Sequence, residues 1–336
     1  MSVTTTVFSA DVLKIDAAAV SACIENEIRD IVLQRLNRKG VVVAISGGID
    51  SSVVAALCLN ALGNPRVIGL MMPEADSSPD SLHFANLLAQ SLGLRTRLED
   101  IAGILTAANC YERRDEAIRK VIPQYTEGYK CKIVLPDQVN GSAYPIFSVV
   151  VESPEGERTK ARLTLDSYLG VVAATNFKQR TRKMMEYYYA DRYNYAVAGT
   201  PNRLEYDQGF FVKNGDGAAD LKPIAHLYKT QVYQLAAYLG IPQEIQRRPP
   251  TTDTYSLDQS QDEFYFPLPY DRMDLCLYAK NHDLEPQDVA PVVELTAEQV
   301  VRVYRVIDAT RGATSYLHRP PVLCEPVPEV LNDVRV

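Results

Sequence analysis

Apolar residues recur at helical spacing over residues 16–37, with Val20, Ile24, Ile28, Ile31 and Leu36 on one side, and Gly40 ends the segment. Residues 41–45 are an unbroken apolar run rich in β-branched side chains, the pattern of a strand buried on both faces. Similar runs follow at 67–72 and, more briefly, at 94–98. Between them the spacing is helical over 53–62 and 80–92, stopped by Gly63 and Gly93. Strand alternating with helix predicts an α/β fold, a doubly wound parallel sheet with helices on both faces. The pattern then changes. Over 131–165 the runs KIVL, YPIFSVVVES and RTKARLTL are separated by turn formers at 136–141 and 153–156. They predict a β-rich insertion, an antiparallel hairpin or small sheet within residues 111–165 of a single domain spanning 1–336. Helical spacing returns near Asp166, a short buried strand is expected at 195–198, and a helix at 229–239 ends at Gly240. A polar loop over 247–266, two helices near 270–281 and 296–309, and a Pro-rich tail from Arg319 complete the chain.

Composition removes some classes of function. Of 336 residues, 46% are hydrophobic and 23% charged, the mix of a folded globular protein. A net charge of −7 argues against nucleic acid, while leaving room for a local basic pocket that takes a phosphorylated small molecule. No apolar run approaches the roughly 18 residues of a membrane span, and the N-terminus lacks the regions of a signal peptide. The six cysteines form no CxxC pair and no zinc spacing, so reduced thiols and a cytoplasmic location are expected, with Cys58 on an apolar helix face. His83, His226, His282 and His318 are isolated from one another, and structural or surface roles are expected for them. Tyr187, Tyr188 and Tyr189 point to different sides of a helix, as packing or interface residues do.

The sharpest local signal is Ser46-Gly47-Gly48-Ile49-Asp50-Ser51-Ser52, between a buried strand and a helix. The first N–H groups of a helix have no intrahelical partners, and the helix dipole there favours anions. Two glycines let the backbone approach a phosphate closely, and three serines add hydroxyl donors. Asp50 would repel that phosphate unless Mg²⁺ lay between them. A tight capped turn without a ligand is the plainer alternative. The loop is neither a Walker A sequence nor GxGxxG.

A second cluster, GTPNRLEYDQGFFVKNGDGAADLKPIAHLYKT at 199–230, follows the short strand at 195–198. Open α/β sheets bind ligands at the carboxyl ends of their strands. Glu205 can join Asp50 as a second carboxylate for Mg²⁺, and Lys213 and Lys229 are candidate phosphate or carboxylate binders. Taken alone, the stretch also reads as a polar surface loop.

The glycine-serine loop resembles that of the ATP pyrophosphatases, and 199–230 resembles the NAD synthetase pattern GT…E followed by GxFxKxGDGAADLxPIxxLYKT. Asn176-Phe177-Lys178-Gln179-Arg180-Thr181-Arg182 is similar to the family's N-x-K-x-R-x-R, and Pro249-Pro250-Thr251-Thr252-Asp253 to its P-[ST]-A-D loop. The resemblance implies a Rossmann-like ATP pyrophosphatase fold and an ammonia-dependent ligase. That ligase adenylates the nicotinate carboxylate of nicotinic acid adenine dinucleotide and amidates it to NAD. It further implies that Ser46, Gly47, Gly48, Asp50, Ser51, Ser52, Arg180, Thr200, Lys229 and Thr251 hold ATP, with Asp50 and Glu205 on Mg²⁺. By the same resemblance Asn176, Arg182, Lys213, Asp220 and Asp253 hold the dinucleotide, Asp50, Lys229 and Asp216 are catalytic, and the chain is a homodimer.

The sequence departs from the pattern in its long stretch between Asp100 and Asn176, in the added cation of Pro201-Asn202-Arg203-Leu204-Glu205, and in His318-Arg319-Pro320-Pro321, which lacks the family's lysine. These residues offer no room for a glutaminase domain, so ammonia is expected to come free or from a separate amidase. Two other readings stay open: a paralogue that adenylates another carboxylate, and a nucleotide-binding module without turnover.

Overall fold

The computed structural model describes residues 8–135, 147–251, 254–257, 259 and 265–327. At its centre is a four-stranded sheet in the order β3-β2-β1-β7, with β1 at Val41–Ala44, β2 at Val67–Met71, β3 at Thr96–Leu98 and β7 at Ala196–Ala198. All pairings are parallel, and Val41 lies opposite both Val67 and Ala196. Pleating sends Val41, Val43 and Ile45 to one face, against α1 (Ala17–Asp30), α2 (Ile49–Leu62), α3 (Pro79–Leu92) and α8 (Lys229–Tyr238). Val42, Ile68, Leu70 and Val197 go to the other, against α4 (Ala102–Ala107), α5 (Cys110–Arg119) and α6 (Leu165–Tyr193). This is the doubly wound arrangement that the alternating pattern predicts.

Two boundaries differ from expectation. The helix expected from Val53 begins at Ile49, with Gly48 as its N-cap, so Asp50, Ser51 and Ser52 occupy its first turn. The helix expected over 16–37 is regular only to Asp30; a wider turn follows, closed by the Leu36 N–H on Ile31 O at 2.8 Å. The short helices α4 and α7 (Arg203–Gln208) carry too few turns to show a period.

The stretch 111–165 opens with most of α5 and continues as an antiparallel sheet of β4 (Lys130–Val134), β5 (Ser148–Glu152) and β6 (Arg158–Arg162). Cys131, Ile133, Val149 and Val151 alternate inward and pack on Ile118, Ile122, Tyr125 and Val171. Beside β4 the chain returns: Leu257 N–H bonds to Cys131 O at 3.1 Å, and Cys131 N–H to Ser256 Oγ at 2.9 Å.

After α9 (Gln243–Arg247), the helices α10 (Tyr270–Asn281), α11 (Pro286–Val289) and α12 (Ala297–Thr314) form an apolar cluster that takes in Leu204 of α7 and Tyr228 ahead of α8. Arg311 of α12 grips Asp207 of α7 through two bonds, at 2.7 and 2.6 Å. These contacts fix the two elements that carry Glu205 and Lys229.

Candidate functional site

Past β1 the chain turns through Ser46-Gly47-Gly48 into α2, at the carboxyl edge of the sheet. Gly47 has φ +77°, and a Cβ there would stand 2.5 Å from Ser81 O, so the turn requires glycine. Ser46 Oγ accepts the Gly48 N–H at 3.3 Å, and the Ser51 and Ser52 hydroxyls donate to Gly48 O at 3.0 and 2.8 Å. Among the described residues no side chain caps the helix at Gly48. Gly48, Ile49, Asp50 and Ser51 line a cavity of about 420 Å³, which also includes Ser46. The uncapped first turn of α2 therefore opens on it. Gly47 and Ser52 brace the turn from outside the cavity's described walls.

The charges converge on Asp50. Its Oδ2 accepts from the Lys229 ammonium and its Oδ1 from Asn202 Nδ2 at 3.0 Å. Lys229 opens α8, and its side chain is 2% exposed. Burial alone would lower its pKa; Asp50, then Glu205, outweigh burial and hold it above the ordinary lysine value. Asn202 also accepts the Glu205 N–H at 3.1 Å, while the Glu205 carboxylate accepts the Asn202 N–H at 3.3 Å. The start of α8 is held by Asp274 of α10, which accepts the Thr230 N–H at 2.7 Å; burial pushes that carboxyl up to about 7.

Asp50 and Glu205 both line the cavity. Mg²⁺ commonly takes one or two carboxylates and completes its shell from phosphate and water. The described residues contain no group of three or more His, Cys, Asp or Glu able to hold a metal. Two carboxylates beside the uncapped start of α2 are a donor set that fits Mg²⁺ bound together with a nucleotide.

Other walls bring in Asn176, Arg182, Thr200, Asp216 and Thr251. Arg182 Nε donates to Met72 O at 3.4 Å. Asp216 accepts the Val212 N–H at 2.7 Å; burial raises its pKa, and that bond and Lys183 only partly offset it. A buried pair, Lys183 with Glu186 at 2.7 Å, stands on the same wall, and burial raises the Glu186 pKa despite the lysine. Arg248 donates to Ser81 Oγ at 3.0 Å beside the loop. Phe147 and Tyr168 stack at 4.4 Å and 12°, and with Tyr255 and Tyr265 they give the cavity an aromatic side.

The described walls do not include Arg180, Lys213 or Asp220. Arg180 is exposed and donates to Lys213 O at 3.3 Å. The Lys213 ammonium donates to the carbonyls of Tyr316 and Arg319 at 2.7 and 3.1 Å. Asp220 accepts the Val197 N–H at 2.7 Å and the Tyr187 hydroxyl at 3.3 Å. Asp253 lies outside the described residues. His318 stands edge-on to Tyr206 and Phe211 at 4.8 and 5.1 Å, and the Arg203 guanidinium lies 5.2 Å from the centre of the Tyr228 ring. Cys58 is fully buried, its thiol pushed up to about 12, as a core residue should be.

Asn202 carried a readable signal, since Asn three residues before Glu is a helix-start pattern. Arg248, Lys183, Glu186 and Phe147 gave none, because each reaches the cavity through tertiary packing.

The sequence model of the NAD synthase family matches residues 20–123 and 150–313. The NH(3)-dependent NAD(+) synthetase of Rhizobium meliloti is 57% identical over 324 residues, covering 96% of this chain and 97% of its own. Among solved structures, the NMN synthetase from Francisella tularensis gives a TM-score of 0.64 at 20% identity, over 92% of this chain and 99% of the other. The NH3-dependent NAD synthetase from Campylobacter jejuni gives 0.60 at 22%, over 93% of this chain and 100% of the other. At those identities the structural likeness speaks to fold. Phe147 falls in the break of the family match, so one side chain of the cavity comes from the inserted segment.

Proposed function

Because the chain belongs to the NAD synthase family, we propose that it adenylates the nicotinate carboxylate of nicotinic acid adenine dinucleotide with ATP and amidates it with ammonia, releasing NAD, AMP and pyrophosphate. The observation that carries this reading is the convergence of Asp50, Glu205 and Lys229 on a cavity that the uncapped start of α2 opens into.

A carboxylate is a poor acyl donor because its leaving group would be oxide. Attack of its oxygen on the α-phosphorus, with loss of pyrophosphate, makes AMP the leaving group. In this assignment Ser46, Gly48 and Ser51 hold phosphate oxygens, and Lys229 and Thr251 hold the phosphates that transfer or leave. Asp50 and Glu205 would hold Mg²⁺, which when bound neutralises phosphate charge. Thr200 helps place ATP. Asn176 and Arg182 face the acid. Lys213 and Asp220 hold the dinucleotide in this reading, with the Lys213 ammonium anchored on the Tyr316 and Arg319 carbonyls and Asp220 on the Val197 N–H. Ammonia nitrogen attacks the acyl carbon and AMP departs; Asp216, half-buried with its pKa raised by desolvation, is the proposed acceptor for the amine's surplus proton.

The proposal includes a homodimer. The outer side of the 29-residue α6 presents Leu165, Leu169, Met184 and Tyr188 at half exposure or more, an apolar stripe that a second copy can cover. No described helix is long and apolar enough to cross a membrane. A cytoplasmic enzyme fed by free ammonia or a separate amidase completes the reading.

The test is a mass-spectrometric assay of the purified protein with Mg-ATP, nicotinic acid adenine dinucleotide and ammonium. NAD and AMP in equal amounts are expected, and Asp50→Ala should abolish both. Intact dinucleotide without AMP would redirect the reading to another acid, and no pyrophosphate exchange with any acid to a module without turnover.

A further inference from the structure

We infer that Asn202 is a positioning residue that sets the spacing of Asp50 and Glu205 and thereby the affinity of the site for its divalent cation. The inference rests on the assignment of those two carboxylates to Mg²⁺ made above.

Asn202 is 1% exposed, so its amide has little water to fall back on. A primary amide has one accepting and one donating end. Here the donating end goes to Asp50 Oδ1 at 3.0 Å, and the accepting end to the Glu205 N–H at 3.1 Å. Asp50 stands on α2 and Glu205 on α7, and one neutral side chain spans them, 152 residues from Asp50 in sequence. The other partner of the Asp50 carboxylate is Lys229, a cation that competes with a metal for the same charge. Asn202 holds the carboxylate without neutralising it. The return bond, donated by the Asn202 N–H to the Glu205 carboxylate at 3.3 Å, keeps that side chain close to its own helix start. Loss of a partner that orients a ligating group in this way typically costs roughly ten- to a hundredfold in metal affinity or activity.

The two ends of the amide separate by substitution. Asn202→Ser keeps a cap for Glu205 but is too short to reach Asp50, whereas Asn202→Ala loses both. The measurement is Mn²⁺ binding by electron paramagnetic resonance in the presence of α,β-methylene-ATP, alongside thermal unfolding without metal. Asn202→Ser should unfold close to wild type yet bind Mn²⁺ at least roughly tenfold more weakly. Asn202→Ala should show the same weakening and a lower melting temperature. Asn202→Thr, a second capping residue, serves if the serine variant does not fold. Wild-type Mn²⁺ affinity in a folded serine or threonine variant would overturn the inference. So would wild-type Mn²⁺ affinity in Asp50→Ala, which removes the metal assignment itself. Wild-type protein that binds Mn²⁺ and the analogue but makes no NAD would sink the proposed reaction and leave this inference standing.

Discussion

Replacing Lys229 with methionine tests the charge centre directly. Methionine keeps much of the apolar stem and deletes the ammonium. Asp50 then loses its ion-pair partner, and Glu205 loses a nearby positive charge. Removing one partner of a buried pair costs about 3–5 kcal/mol when both groups are fully buried. The Asp50 side chain is 16% exposed at the cavity, where water can partly replace the ammonium, so the low end, about 3 kcal/mol, is expected. Turnover should fall by about 10²–10³, the usual loss when one group stabilising transition-state charge is removed. The assay pairs thermal unfolding, with and without Mg²⁺, with AMP formation. Mg²⁺ should stabilise Lys229→Met more than wild type, because it restores a cation between two carboxylates. Adding Asp50→Asn should recover most of the stability and none of the activity. A single variant that melts and turns over like wild type would refute the reasoning, and the ion pair would be an incidental contact.

Three further expectations come from other parts of the site. The folded-state pKa of Asp274, about 7, lies above its ordinary 3.8, so the fold retains a proton that the unfolded chain releases. Stability from the protonated form is present at low pH and lost as pH rises from about 4 towards 7. Asn at this position keeps an acceptor for Thr230, so Asp274→Asn should outlast wild type by a few kcal/mol near pH 8 and not near pH 4; parallel urea midpoints at both would contradict this. Gly47→Ala should lose at least about 2 kcal/mol in equilibrium unfolding and weaken nucleotide binding, since the new methyl meets Ser81 O and φ stays positive. Phe147→Ala removes the ring stacked on Tyr168 and admits water to the cavity, so AMP released per amide formed should rise above one; a ratio fixed at one would separate the insertion from protection of the adenylate.

Much of the fold was legible because two periodicities carry it. Val41 to Val43 are buried on alternate faces, and such strands write themselves as continuous apolar runs. The glycine-serine turn into α2 was legible because its chemistry is local: glycines, hydroxyls and a helix start lie within a few residues. Lys213 was harder to place. Its residue type and neighbours suit an anion, yet its ammonium is taken up by carbonyls of a segment more than a hundred positions away, and no local pattern records that. Arg248 and Phe147 were invisible for the converse reason. Each is an ordinary loop residue until packing brings it beside Ser81 or Tyr168. α2 starts four residues earlier than the apolar spacing predicts, because Ile49 to Ser52 read as loop chemistry, although a helix N-terminus is where that chemistry acts.

The placement of β7 beside β1 has a consequence for how the chain is born. Val41–Val43 find β2 soon after synthesis, but their second neighbour, Ala196–Ala198, emerges only after the insertion and the whole of α6. Until then the central strand is an open, apolar edge of the kind that recruits other chains. Asp50 waits longer still for Lys229, 179 residues downstream. High contact order of this sort slows folding. An N-terminal fragment ending before β7 should therefore aggregate on release, and the Asp50–Lys229 pair cannot form until the start of α8 has been made.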